Sequence, residues 1–209
     1  MRIPTLKEEK SFWRKGYKLV AGLDEVGRGP LAGPVVAGAF IVLPGFRMPR
    51  ALQKQLRDSK KLSERKRLEF YYFFHSHPHV KWGIGIVSET MIDRINILQA
   101  TRLAMKKALA KVQKADSIIV DGNMVIESTL FQKAIVKGDE SVFSCAAASI
   151  MAKVTRDRIM VRYHKKYPAY GFDKHKGYGT RLHMKNLRKH GPSSIHRRTF
   201  LSFLNTLTK

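Results

Sequence analysis

KLVAGLDEVGRGPLAGPVVAG, residues 18–38, is the stretch that decides the fold of this chain. It predicts a short apolar strand at residues 19–23, which leads into two adjacent carboxylates, Asp24 and Glu25. A glycine-flanked arginine and a Pro/Gly turn follow, and a second apolar strand is predicted at residues 35–43. Apolar runs bounded by turn residues are typical of strands in a buried sheet. The two strands are therefore expected to form a hairpin or the edge of a meander.

The acid pair at the end of the first strand has two interpretations. One is an N-cap aspartate followed by a solvated glutamate at a turn. The other is a metal site, because buried carboxylates must be paired or must coordinate a metal. Two further isolated acids favour the metal site: Asp121 directly follows the apolar run at residues 117–120, and Asp139 comes soon after the apolar run at residues 134–136.

Carboxylates at strand ends collect at one edge of an α/β sheet, which is where ligand sites form. Four of them repel one another unless hard cations lie between them, and oxygen ligands favour Mg²⁺ or Mn²⁺ over zinc. Two such ions, about 3.5–4 Å apart, would activate a water and stabilise the departing oxygen of a phosphodiester. Glu25 can join Asp24 only if the strand bends there, because adjacent strand residues point to opposite faces. The glycines at positions 27 and 29 make such a bend plausible.

The composition predicts a polyanionic partner. The chain has 209 residues, suited to one domain or one with a modest appendage, and its 40 Lys and Arg outnumber 16 Asp and Glu to give a net charge of +24. The other interpretation of this charge is that it only aids solubility. The N-terminus lacks the apolar region of a signal peptide, so a cytoplasmic protein is expected. The single cysteine, Cys145, excludes an internal disulfide and is interpreted as a small buried residue.

The remaining periodicities predict strands separated by helices, which implies an α/β fold with a mixed sheet. Ser63 is a predicted helix N-cap, and Ser88 opens the next predicted helix. The inward faces of these two helices are predicted to carry Leu68, Tyr71 and Tyr72 in one, and Met91, Ile92, Ile95, Leu98 and Leu103 in the other. Predicted helices cover residues 7–14, 63–74, 88–112, 142–163 and 180–191, and two further predicted strands cover residues 80–87 and 117–120. Residues 1–167, with a lead-in at 1–16, are predicted to form the main domain, and residues 168–209 a loop and helical extension.

Eight motifs occur in an order that resembles the bacterial ribonuclease HII (type 2 ribonuclease H) family across nearly the whole chain. They are AGLDEVGRGPLAGPVVAG (21–38), DSKKLS (58–63), INILQATRLAM (95–105), VDGN (120–123), VKGD (136–139), AAASIMAKVTRDRIM (146–160), YGFDKHKGYGT (170–180) and GPSSIHRRTF (191–200). The resemblance implies a ribonuclease H-like mixed sheet flanked by helices, with a C-terminal helical extension. It also implies hydrolysis of RNA paired with DNA, including cleavage 5′ of a single ribonucleotide embedded in duplex DNA, leaving 3′-hydroxyl and 5′-phosphate ends.

The same resemblance assigns the catalytic and metal-binding acids to Asp24, Glu25, Asp121 and Asp139, with Mg²⁺ or Mn²⁺ as the cofactor and two ions once substrate is bound. Asp157 competes for the fourth position, although an Arg-Asp-Arg run in mid-helix is typical of a surface salt-bridge cluster.

The resemblance also implies a set of substrate-binding residues. The glycines of Gly27, Arg28 and Gly29 would let the backbone approach the nucleotide and contact its 2′-hydroxyl. Tyr178 would pack on the sugar of the nucleotide after the ribonucleotide, and Lys60 and Lys61 would hold phosphates. From the residues alone, Tyr178 is an ordinary loop aromatic and the lysines are ordinary surface charges.

For other basic residues the sequence gives weaker indications of a function. Lys174, His175 and Lys176 beside the tyrosine are candidates for contacts with the duplex, because aromatics interleaved with cations line nucleic-acid grooves. Arg197 and Arg198 suit backbone contacts with nucleic acid or form a basic tail. His75, His77 and His79 are interpreted as solvated residues of a loop rather than as a metal cluster.

Two other functions fit parts of the pattern. A non-catalytic basic binder of structured RNA or duplex explains the charge but not four acids at strand ends. A type 3 ribonuclease H or a transposase-like strand transferase would share the fold. The type 3 enzyme would be expected to carry an extra N-terminal substrate-binding domain and to depart from the Gly-Arg-Gly motif. A monomer acting on RNA–DNA hybrids and on ribonucleotides in duplex DNA, with no membrane association, is therefore expected.

Overall fold

A computed structural model of the chain describes residues 3–57 and 59–202. Asp58 of the DSKKLS motif, the first two residues of the lead-in and residues 203–209 of the extension lie outside the described residues. The strands are β1 (Val20–Val26), β2 (Val35–Val42), β3 (Val80–Val87), β4 (Ser117–Asp121) and β5 (Phe131–Ile135). The helices are α1 (Lys7–Arg14), α2 (Arg50–Gln53), α3 (Glu64–Ser76), α4 (Glu89–Val112), α5 (Gly138–Ser141), α6 (Phe143–Lys166), α7 (Phe172–His175) and α8 (Arg181–His190).

The five strands form one mixed sheet in the order β3-β2-β1-β4-β5. β1, β2 and β3 follow one another along the chain, and each pairs antiparallel with the next. β4 pairs parallel with β1, and β5 pairs parallel with β4. The prediction of a mixed α/β sheet flanked by helices is confirmed, and β1 lies at its centre.

Helices cover both faces of the sheet, and on each face a helix contacts a glycine of a strand. On one face α4 packs on β2 and β3, where a Cβ at Gly85 would overlap the carbonyl oxygen of Ala104. On the other face α6 packs on β1 and β2, where a Cβ at Gly38 would overlap the carbonyl oxygen of Ala148. The small residues 146–148 are fully buried there, as the close approach of a helix to a sheet requires.

The structure corrects several element predictions. β1 continues through Asp24 and Glu25, because β2 pairs with it as far as Val26. β5 begins at Phe131, three residues before the apolar run at residues 134–136. Tyr72 was predicted to face inward but is 59% exposed, whereas its neighbour Tyr71 is buried.

The face predicted for α4 is partly wrong because the helix is interrupted. Asn96 adopts a non-helical conformation (φ 63°), and its side chain accepts the Leu98 and Gln99 amides at 2.9 and 3.1 Å. The helix starts again after Asn96, which changes the side of the helix on which the following residues lie. As a result Leu98 is exposed, while the small residues Ala100 and Ala104 face the sheet.

The C-terminal elements pack on the rest of the chain through Ala32 and Met160, which share a hydrophobic cluster with Tyr170, Phe172 and Leu187. None of the helices in the described ranges has both the length and the apolar content needed to cross a bilayer.

Candidate active site

Three parallel strands bring the acids to one edge of the sheet. Leu23 of β1 is in register with Val120 of β4, so Asp24 and Asp121 are the next residues of two neighbouring strands. β5 ends beside Asp121, where the Gly122 amide donates to the Ile135 carbonyl at 2.9 Å. The chain then turns into α5, whose second residue is Asp139. Residues almost 100 positions apart therefore meet because parallel strands end at the same edge.

Asp24, Asp121 and Asp139 form a compact group in which one carboxylate oxygen of each lies within 4.8 Å of the others. Asp24 and Asp139 are buried, and Asp121 is half-buried. Asp24 Oδ1 accepts the Glu25 amide at 2.7 Å, and Asp121 Oδ1 accepts the Gly138 amide at 2.6 Å. The rival Asp157 is not in this group; its carboxylate pairs with Lys153 on the same helix at 2.6 Å.

Burial is the main cause of a strongly raised pKa at Asp24, and the nearby Glu25 and Asp121 carboxylates raise this pKa further. The Ser149 hydroxyl on α6 opposes part of the shift, and it in turn shares a 2.8 Å hydrogen bond with the hydroxyl of Ser59. The ionised forms of these carboxylates therefore repel one another.

Glu25 stands beside this group rather than within it. Its Oε1 pairs with Arg28 at 3.2 Å, while its Oε2 is buried and accepts no hydrogen bond from the described residues. Burial raises the pKa of Glu25, and Arg28 opposes the rise. The carboxylate is close enough to Asp121 to interact with it electrostatically. The structure therefore brings three of the four predicted acids together and places the fourth next to them.

The lysines of the DSKKLS motif lie next to the acids. Lys60 is close enough to Glu25 to help lower its pKa. Lys61 forms an ion pair at 2.6 Å with Glu140, the residue after Asp139. The loop is held in place by Arg67, whose guanidinium donates to the carbonyls of Ser59 and Leu62. Two positive charges thus border the acidic group.

The Gly27–Gly29 turn follows β1 directly, and it is joined to the loop that carries Tyr178. The Leu31 amide donates to the Gly177 carbonyl at 2.9 Å. Tyr178 is 38% exposed, and the Arg156 guanidinium lies 5.9 Å from the centre of its ring. The exposed ring of Tyr178 therefore lies on a loop that is hydrogen-bonded to the turn next to the acids.

Two basic residues that the sequence suggested as nucleic-acid contacts are buried instead. Arg197 is fully buried and binds carbonyl oxygens of the chain itself. His175 is buried, stacks on His183 with ring centres 4.4 Å apart, and lies 2.8 Å from the Tyr170 carbonyl. The partners of Arg197 lie more than 160 residues away, so no local pattern distinguishes it from a surface cation.

His183 and His196 complete a buried histidine cluster under the tyrosine loop. Their Nε2 atoms are 3.0 Å apart, and His183 Nδ1 lies 2.9 Å from the Tyr178 carbonyl. Burial lowers the pKa of both imidazoles to about 4, so both are neutral at pH 7. The cluster therefore adds no positive charge and serves to hold the loop.

The chemistry of the acidic group fits a divalent metal ion. Its ligand atoms are carboxylate oxygens, which Mg²⁺ and Mn²⁺ prefer, and one from each of the three residues lies within 4.8 Å of the others. The unsatisfied Glu25 Oε2 adds a further oxygen beside the group. Such mutually repelling buried charges are stable together when a cation compensates them.

Comparisons with known proteins agree on one family. The profile described as Ribonuclease HII matches residues 21–203. Ribonuclease HII of Bacillus velezensis is 50% identical over 193 residues, covering 92% of this chain and 73% of that protein. Ribonuclease HII of Alkaliphilus metalliredigens is 45% identical over 203 residues, covering 94% and 96%.

Solved structures show the same fold. Ribonuclease H2 from Pyrococcus horikoshii OT3 superposes with a TM-score of 0.69 at 27% identity, covering 87% of this chain and 93% of that one. Bst-RNase HIII, solved in complex with Mn²⁺, superposes with a TM-score of 0.69 at 18% identity and covers 92% and 70%.

Proposed function

The chain belongs to the ribonuclease HII family, and from this premise we propose how its site selects and cuts a substrate. It is a metal-dependent endonuclease of the ribonuclease H type, which acts on RNA paired with DNA. The finer proposal is that it also cuts duplex DNA on the 5′ side of a single embedded ribonucleotide, leaving 3′-hydroxyl and 5′-phosphate ends. The observation that carries this proposal is the convergence of three carboxylates beside the Gly27–Gly29 turn.

We assign Asp24, Asp121 and Asp139 as ligands of Mg²⁺ or Mn²⁺, and Glu25 as the acid that joins them when two ions are bound with substrate. Ions held there supply Lewis acidity for activating a water and stabilising the leaving oxygen. The protein contributes the placement: β1 and β4 fix the first two carboxylates, and Ser149 supports Asp24. Buried ligands of this kind need no reorganisation when the reaction begins.

Substrate recognition is assigned to the surroundings of the acids. A Cβ at Gly29 would meet no atom within 4 Å, so the backbone there is open to close approach by a nucleotide. Gly27 and Arg28 complete this turn, and we assign phosphate contacts to Lys60 and Lys61, which lie next to the acids. Residues 168–209 are proposed to form the extension that contacts the duplex, with Tyr178 as its stacking residue. A monomeric, cytoplasmic enzyme remains our prediction.

The experiment that tests this function compares three labelled duplexes: a uniform RNA–DNA hybrid, a DNA duplex with one ribonucleotide, and the same duplex without it. We expect cleavage of the first two with Mg²⁺ or Mn²⁺, no cleavage with EDTA, and no cleavage of the third. Product sizing and phosphatase sensitivity report the cut position and the end groups. Binding without cleavage of any duplex would favour the non-catalytic binder instead.

Replacing Tyr178 with alanine should impair cleavage at a single ribonucleotide at least as much as cleavage of a long hybrid. Loss of one stacking contact is worth about 1–3 kcal/mol, which corresponds to roughly 5- to 150-fold in kcat/KM. Tyr178→Phe is the matched control, because it keeps the aromatic face and should cleave at close to the normal rate. Unchanged kcat/KM of Tyr178→Ala on both substrates would exclude the stacking role.

A further inference from the structure

The turn between β1 and β2 is bound from inside the protein by Arg197 of the C-terminal extension. Its side chain is fully buried. Nε donates to the Gly33 carbonyl at 2.9 Å, Nη1 to the Arg28 carbonyl at 2.8 Å and Nη2 to the Gly27 carbonyl at 2.6 Å. Residues 170 positions apart are thereby joined at the segment next to the acids.

Arg156 of α6 binds the same turn from a second direction. Its Nε donates to the Pro34 carbonyl at 2.9 Å and its Nη2 to the Ala32 carbonyl at 3.1 Å. Its Nη1 donates to the Lys176 carbonyl at 2.9 Å, so one guanidinium joins the turn to the tyrosine loop. Together the two arginines bind five carbonyl oxygens of residues 27–34.

These two buried charges depend on carbonyl dipoles for compensation. Among the described residues, neither guanidinium lies within 4 Å of a carboxylate oxygen in an ion pair, although Glu89 and Asp93 act on Arg197 from farther away. Burial lowers the pKa of both arginines, as expected for charges removed from water. Each planar guanidinium offers a fixed set of donors that reaches several acceptors at once, which a lysine does not.

The carbonyls that Arg197 binds determine where the amides of the turn point. In a trans peptide unit the C=O and the following N–H point in opposite directions, and none of the described peptide bonds is cis. Binding the Gly27 and Arg28 carbonyls from inside therefore directs the Arg28 and Gly29 amides away from the buried guanidinium. Within the described residues these two amides donate no hydrogen bond. They form adjacent, oriented donors in the turn that follows the acids.

We propose that Arg197 and Arg156 are positioning residues that fix the turn at residues 27–34 so that the Arg28 and Gly29 amides are presented to the ribose of the substrate. This role rests on the proposed function, because it concerns how the same site recognises a ribose. The arginines themselves do not touch substrate; they act through the backbone that they hold.

The test is Arg197→Lys, which keeps one positive charge but cannot reach three carbonyls. Arg14→Lys is the matched control, because Arg14 is an exposed residue of α1, a helix that packs near the start of β1. We expect Arg197→Lys to lower kcat/KM on the duplex with one ribonucleotide by at least about tenfold, an effect typical of losing a charge-assisted hydrogen bond. Mn²⁺ binding should be unchanged, because neither arginine contacts the carboxylates.

A second readout separates positioning from a general structural defect. In an Asp121→Asn background, which is expected to prevent cleavage, the affinities for the ribonucleotide duplex and for the all-DNA duplex are compared. Arg197→Lys should reduce the preference for the ribonucleotide while leaving the affinity for DNA unchanged. Equal loss of affinity for both duplexes would overturn the positioning role. The role would also be overturned if Arg197→Lys unfolds at the same temperature as its parent and still prefers the ribonucleotide duplex to the same extent.

The same measurements are made on Arg156→Lys, which changes the arginine on α6. This variant tests the proposal if Arg197→Lys does not fold. If both variants fail to fold, the arginines are structural and the proposal is wrong. Failure of the unmodified protein to cleave either ribonucleotide substrate would instead overturn the proposed function. Cleavage by the unmodified protein together with unchanged Arg197→Lys and Arg156→Lys variants would overturn only the positioning role.

Discussion

Asp24→Asn should abolish cleavage and at the same time stabilise the metal-free protein. The amide removes a ligand charge from the acidic group, and loss of several kcal/mol of transition-state stabilisation corresponds to about a thousandfold or more in rate. The same change removes a buried charge that its neighbours repel. Single-turnover cleavage of the duplex with one ribonucleotide measures the first effect, and thermal unfolding in EDTA measures the second.

The sign of the stability effect follows from the raised pKa of Asp24. In the unfolded chain the carboxyl has its ordinary pKa of 3.8, whereas in the folded protein it holds its proton to higher pH. The metal-free protein therefore loses stability as pH rises from about 4 through the folded pKa, and the full penalty is present above it. Asp24→Asn removes this destabilising contribution of the ionised carboxylate. A gain of about 1 kcal/mol would raise Tm by about 2–4 °C.

Asp121→Asn should also prevent cleavage, and Asp157→Asn is the control. Asp157 carries the same charge but pairs with Lys153 outside the group, so its replacement should leave the rate close to normal. Near-normal turnover by Asp24→Asn or Asp121→Asn would remove that residue from the proposed metal site. Inactivity of Asp157→Asn with an intact fold would reopen the assignment of the fourth acid.

Gly38→Ala should destabilise the fold and disturb the acidic group together. Gly38 lies directly opposite Asp24 in the β1–β2 ladder. An added Cβ would overlap the Ala148 carbonyl oxygen and lie 2.9 Å from its carbon, so α6 must move away from the sheet. Overpacking of this kind costs about 1–3 kcal/mol, which exceeds the roughly 0.4–1 kcal/mol gained by restricting the unfolded chain. Since Ser149 follows Ala148, the support of Asp24 should weaken as well.

Urea unfolding and single-turnover cleavage of the same preparation measure both effects of Gly38→Ala. Gly179→Ala is the control for stability, because its nearest contact would be the flexible end of Leu31 at 3.3 Å. A Gly38→Ala protein as stable as its parent would contradict the tight packing of α6 on β2. A destabilised protein with an unchanged cleavage rate would show that the position of Asp24 does not depend on this helix contact.

The sequence by itself determined the parts of this protein that depend on neighbouring residues. Ser63 and Ser88 cap their helices as predicted, each accepting an amide three residues later. The alternation at residues 80–87 and the apolar run at 117–120 correspond to β3 and β4. The motifs around Asp24, Asp121 and Asp139 were sufficient for the family resemblance, which the comparisons confirm. These are local signals, since caps and strand periods are properties of adjacent residues.

Only the tertiary structure decided the strand order and the roles of the buried polar residues. The order β3-β2-β1-β4-β5 makes three parallel strand ends adjacent and so assembles the acids. The sequence does not distinguish Arg197 from a surface cation, because the carbonyls that it binds lie more than 160 residues away. The buried Arg197 guanidinium is stabilised by carbonyls that converge on it from distant residues, and that convergence is a property of the folded chain.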